Sequence, residues 1–190
     1  MRLFVAVELE PAVRASAAAA GQTLRGHLPR GIHARWIAEE NLHITLQFLG
    51  DVDDALVPQV VAALDIPFSQ QGFTIDLDGF GAFPPSAPPR VFWLGIHPGA
   101  EGLAALHEEV ASRMEPLGFH RERRRYAGHL TIARVKDAGP RSVQAAVRQL
   151  LAELPAHVGE SQVTSVTLFR SRLSPKGASY DAVLRVPLKR

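Results

Sequence analysis

The sequence predicts an α+β (mixed α/β) fold: two pseudo-symmetric lobes, each an antiparallel-rich sheet with packed helices, around a central cleft. Three observations carry that prediction. Strand-like and helix-like apolar periodicities alternate along the chain in the order βαβαβ, βαβαββ. The second half echoes the first: Arg2-Leu3-Phe4 recurs as Arg90-Val91-Phe92, and each half then runs helix and His-x-Thr strand. Finally, 46% hydrophobic residues in 190 supply a core for one two-lobed domain.

Residues 3–9 read as a strand, and Pro11 opens a helix with Val13, Ala17, Ala20 and Leu24 on one stripe and Gly26 near its end. NLHITLQFLG, 41–50, follows as a strand. Asp51, Asp53 and Asp54 precede a helix carrying Val57, Val60, Val61 and Leu64, where Pro58 is tolerable only in the first turn. Residues 73–80 alternate as a half-exposed strand, 83–90 form a Pro-rich connector, and 91–96 form a strand. Residues 101–115 form a helix with Leu103, Leu106, Val110 and Met114 inward. The strand HLTIARV follows, and Pro140 then opens a helix with Val143, Val147, Leu150 and Leu154. Strands at 163–170 and 179–186, joined through SRLSPKG, close the chain. Lobe one is expected over about 1–80 and lobe two over about 90–186, in a single domain, 1–190.

Composition excludes several function classes. No apolar run is long enough to cross a bilayer, and MRLFVAVELEPAV reads as a first strand, not a signal peptide. Without cysteine there is no disulfide, thiolate nucleophile or thiolate metal site, and a reducing cytoplasm is permitted. The net charge is +2, with three lysines (Lys136, Lys176, Lys189) and the other basic residues arginine. Arginine suits phosphate, but GC-rich coding explains the excess equally well.

The chemistry lies in two strands. By alternation His43, Thr45 and Gln47 share one face of the first, opposite Ile44, Leu46 and Phe48. On the second, His129 and Thr131 share a face opposite Leu130 and Ile132. With 8 histidines and few threonines, His-x-Thr is expected about 0.25 times by chance, yet it occurs twice at matching places of the repeat, 86 residues apart. A lone strand histidine is usually structural. Two facing one another are different. A neutral imidazole takes a proton from water and a charged one protonates a leaving oxygen, which suits displacement at a phosphodiester without metal. The threonine hydroxyls can donate to nonbridging oxygens. These residues leave open which histidine is acid and which is base.

These motifs, with RLFVAVEL, RWIAEENLHITLQFLGDV, FGAFPPSAPPRVFWLGI, GHLTIARV and VTLFRSRLSPKGASYDAV, resemble the 2H phosphoesterase superfamily over nearly the whole chain. The resemblance to its LigT-like RNA 2′,3′-cyclic phosphodiesterases, also called 2′-5′ RNA ligases, is close. It implies metal-independent hydrolysis of an RNA terminal 2′,3′-cyclic phosphate to a 2′-phosphate. It implies His43 as proton donor to the leaving 3′ oxygen, His129 as the base activating water, and Thr45 and Thr131 as phosphate holders. Gly128 stands where the family commonly has proline, which leaves the approach to His129 freer.

Other residues admit two readings each. Arg121, Arg123, Arg124 and Arg125 rim the cleft or form a solvated loop. Arg134 holds phosphate only if a bulge turns it to the face of His129. Trp36 and Tyr126 are candidates to stack a base, whereas Phe48 and Trp93 are expected in the core. His27, His33, His97, His107, His120 and His157 share no metal-ligand spacing. The expected partners are RNA ends or cyclic nucleotides, with no cofactor, metal or membrane, acting as a cytoplasmic monomer. Two other functions fit the same site: 2′-5′ joining by the reverse reaction, and a noncatalytic RNA- or nucleotide-binding module.

Overall fold

A computed structural model of the chain describes residues 1–121, 124–174 and 177–189. Arg123 of the arginine run, and Pro175 and Lys176 of the last connector, lie outside the described residues. The elements are β1 (Arg2–Glu8), α1 (Pro11–His27), β2 (His33–Trp36), β3 (His43–Asp51), α2 (Val57–Leu64), β4 (Phe73–Phe83), β5 (Val91–Ile96), α3 (Ala100–Met114), β6 (Leu130–Asp137), α4 (Arg141–Glu153), β7 (Gly159–Val163), β8 (Ser165–Ser174) and β9 (Gly177–Pro187). Pro11 and Pro58 fall in the first turns of α1 and α2, where a missing N–H costs nothing.

The strands form two antiparallel sheets, one ordered β3-β1-β8-β9 and the other β2-β6-β5-β4-β7. Neither sheet is one half of the chain. β2 and β4 of the first half flank β6 and β5 of the second, while β8 and β9 return to pair with β1. The intervals 1–80 and 90–186 therefore do not coincide with the sheets. The Pro-rich stretch joins two paired strands of one sheet, with Phe83 opposite Val91. β2 and β7 are additional to the expected elements. HARW is too short, and GESQV too polar, to register as a strand by apolar alternation.

Each sheet has one face in the main core. Leu3, Val5, Val7, Ile44 and Leu46 enter it from the four-stranded sheet, and Leu77, Phe92, Leu94, Leu130 and Ile132 from the five-stranded one. α1 packs on β6 and β7, α4 on β4, and α3 on β3. On the other face of the four-stranded sheet Phe4, Ala6 and Phe169 form a separate small cluster with Tyr180. No helix among the described residues is long and apolar enough to cross a membrane.

Candidate active site

Both His-x-Thr strands carry the same local irregularity. In β3 the register against β1 slips, and Leu46 and Gln47 are buried in succession. In β6 the register against β5 slips, and Ile132 and Ala133 are buried in succession. Two consecutive buried residues are the signature of a bulge, which reverses the facing of everything after it. Gln47 thus joins the core side, against the expectation that it shares a face with His43. Five residues beyond each histidine, an exposed side chain then lands on the site face: Phe48 in β3 and Arg134 in β6. Phe48, expected in the core, is 56% exposed. Arg134 is turned to the face of Thr131, the orientation that a phosphate role would require.

The two imidazoles are mounted alike. His43 Nδ1 lies 2.8 Å from the carbonyl oxygen of Asn41, and His129 Nδ1 lies 2.8 Å from that of Ala127. A carbonyl only accepts, so Nδ1 carries the hydrogen in both rings and Nε2 is left for chemistry. Asn41 is doubly engaged, because its side-chain amide also donates to the carbonyl of Ala178 in β9. Around His43 stand the rings of Phe4 (4.7 Å), Tyr180 (5.1 Å, edge-on) and Phe169 (6.2 Å). Around His129 stand Phe83 (5.0 Å, edge-on) and Trp93 (6.4 Å). Trp93 lies over Gly81, where any Cβ would collide with the indole.

Burial among these rings is the main cause that depresses both imidazoles. It outweighs the carbonyl bond, which favours the charged form, and the positive charge of Arg134 depresses them further. His43 is brought down from 6.5 to about 4, and His129 shifts in the same direction. The two motif strands also meet, β3 lying against β6, which brings the motifs to a common centre. A second link is direct: the Tyr126 hydroxyl donates to the Thr45 carbonyl at 2.9 Å, joining the run-in of the second motif to the strand of the first. Thr45 and Thr131 are half-buried beside their histidines, and neither hydroxyl bonds another protein group among the described residues.

Several expected roles change. Tyr126 is not free to stack a base. It lies against the ring of His107 (4.4 Å, 11°), whose Nδ1 donates to Leu46 O at 2.7 Å. Trp36 packs against Gly21 of α1 and lines a hollow with Ile132. Arg121 is taken up by ion pairs with Glu108 and Glu115, whereas Arg124 lines a depression of about 490 Å³ with Phe83, Pro84, Pro88 and Arg90. That depression adjoins His129 through Phe83 but contains neither histidine. At Gly128 a Cβ would approach Leu103 Cδ1 to 3.0 Å, so packing, rather than backbone freedom, is what glycine supplies there. Sequence reading missed the aromatic cage, since rings brought by β1, β4, β5, β8 and β9 carry no local signal. It also missed Asn41, for which the N-x-H spacing is a weak one.

Comparison with known proteins agrees with this architecture. The family described as LigT like Phosphoesterase matches twice, over residues 7–93 and 94–180. An RNA 2′,3′-cyclic phosphodiesterase of Archaeoglobus fulgidus is 37% identical over 181 residues, covering 95% of this chain and 96% of that one. Its namesake in Aeropyrum pernix is 34% identical over 82% of this chain and 87% of its own. Among solved structures, a protein of Thermus thermophilus superposes with a TM-score of 0.79 at 30% identity, covering 100% of this chain and 98% of that one. Escherichia coli LigT complexed with 3′-AMP gives 0.79 at 27% identity, with the same coverage.

Proposed function

Because the chain belongs to the LigT-like phosphoesterase family, we propose that it is an RNA 2′,3′-cyclic phosphodiesterase opening a terminal cyclic phosphate to a 2′-phosphate. Water attacks phosphorus and gives its proton to Nε2 of His129. The bond from phosphorus to the 3′ oxygen breaks as Nε2–H of His43 protonates that oxygen. Thr45 and Thr131 donate to the nonbridging oxygens, and Arg134 balances the phosphate charge. The step needs no metal. The observation that carries this reading is the matched anchoring of both Nδ1 atoms at 2.8 Å, which leaves two Nε2 atoms to exchange protons.

The electrostatics fit these roles. Burial among Phe4, Phe169 and Tyr180 brings His43 down to about 4 and makes its protonated form a strong acid, and burial lowers His129 in the same direction, which keeps it neutral and able to accept a proton. An incoming phosphate anion offsets Arg134 and favours protonation of His43 once substrate is bound. Incubation with a 2′,3′-cyclic nucleotide in excess EDTA is expected to give the 2′-phosphate at an undiminished rate. Loss of turnover with chelator would reject the metal-free step, and a 3′-phosphate product would reject the bond assigned to break.

A further inference from the structure

Arg35 and Arg134 face each other directly across β2 and β6, and both side chains are exposed. Like charges opposite one another on adjacent strands are unfavourable unless an anion lies between or beside them. The arginine ion pairs of the described residues use Arg113, Arg121, Arg170, Arg172 and Arg185; neither Arg35 nor Arg134 is among them. Arg134 borders the reaction centre, since it lies three residues beyond Thr131 on β6 and the bulge between them turns it to the same face. Arg35 stands one strand further out, on the edge strand of its sheet, and its guanidinium lies against Gly177 at the start of β9 in the other sheet. It therefore spans the gap between the sheets at one end of the site, next to a guanidinium already committed to the terminal phosphate.

We propose that Arg35 holds the phosphodiester on the 5′ side of the terminal nucleotide, so that the site is built for RNA chain ends in preference to free cyclic mononucleotides. This rests on the phosphodiesterase reading above and extends it by one phosphate. A nucleoside 2′,3′-cyclic phosphate has no group at that position. A dinucleotide ending in a cyclic phosphate does. A guanidinium suits this task because its planar fork takes a phosphate in two parallel bonds.

The test compares kcat/KM for a cyclic mononucleotide and for a dinucleotide ending in 2′,3′-cyclic phosphate, using the wild-type chain, Arg35→Gln and Arg35→Lys. Wild type is expected to favour the dinucleotide by about tenfold or more, and Arg35→Gln to abolish that preference while changing the mononucleotide by less than about twofold. The salt slope for the dinucleotide should become shallower by about one unit in Arg35→Gln, and Arg35→Lys should restore part of both effects. Equal losses on both substrates in Arg35→Gln, or no loss on either, would overturn the assignment while leaving the phosphodiesterase reading intact. A wild-type chain inert on both substrates would instead overturn that reading, and this inference with it.

Discussion

His43 and His129 were legible as a pair because the spacing repeats, but their individual chemistry was not. What sets it is burial among rings that arrive from strands far along the chain, which lowers both imidazoles and brings His43 to about 4. That burial sets the pH dependence. The profile of kcat/KM reports the free protein, where the proposed roles call for a protonated His43 and a neutral His129. With both imidazoles lowered, His43 to about 4, kcat/KM should be bell-shaped with its maximum on the acid side of the ordinary imidazole value. Bound phosphate raises both groups, so the profile of kcat should lie at higher pH. Superimposable or flat profiles would contradict the paired roles. Ala in place of either histidine should lower the rate by about 10²–10⁴, and the double variant by less than the product of the two, because both act in one step. Near-normal turnover of either single variant would remove its residue from the mechanism.

At the scale of elements, the two bulges decide what each motif strand presents. Alternation correctly separates His43 and Thr45 from Ile44, and His129 and Thr131 from Leu130, then fails at the next step in both strands. Leu46-Gln47 and Ile132-Ala133 look unremarkable in one dimension, since nothing local shows that a neighbouring strand skips a residue. The failure recurs at the same place in each half and puts an aromatic ring at one position and a cation at the other. In β3 the bulge also lies on an edge strand, whose outward carbonyls have no ladder partner. Tyr126 and His107 supply donors to Thr45 and Leu46 there. Burial pushes the Tyr126 hydroxyl up, so it remains a donor throughout the working pH range. Tyr126→Phe strands one part-buried carbonyl and should cost about 1–3 kcal/mol by urea unfolding, with the denaturant slope unchanged. It should also lower kcat by displacing Thr45. Unchanged stability would show that the contact contributes nothing.

For the molecule as a whole, the duplication and the folding unit are different things. The family matches two successive stretches, 7–93 and 94–180, and the element order repeats accordingly. Yet residues 1–89 would hold β2 and β4 without the two strands that lie between them, and β1 without β8 on its free side. Residues 90–190 would hold β8 and β9 without β1. Each half would thus expose unpaired edges beside apolar faces such as Val5, Val7, Val166 and Leu168, whose burial is worth about 1.5–3 kcal/mol per large side chain. The echo of one half in the other suggests a lobe in each half of a single domain, and strand order within a sheet, being invisible to periodicity, adds the exchange of strands between them. Interleaving predicts that neither half, expressed alone, gives the dispersed amide spectrum of a folded protein, whereas the two mixed under refolding conditions recover that spectrum and phosphodiesterase turnover. The intact chain should likewise unfold in one transition when followed by tryptophan fluorescence and by circular dichroism, since Trp36 and Trp93 both report on the five-stranded sheet and every strand of the other sheet leans on it through the shared core. A cooperatively folded isolated half would show that the sheets can close without exchange, and that the interleaved order is not what holds the two histidines together.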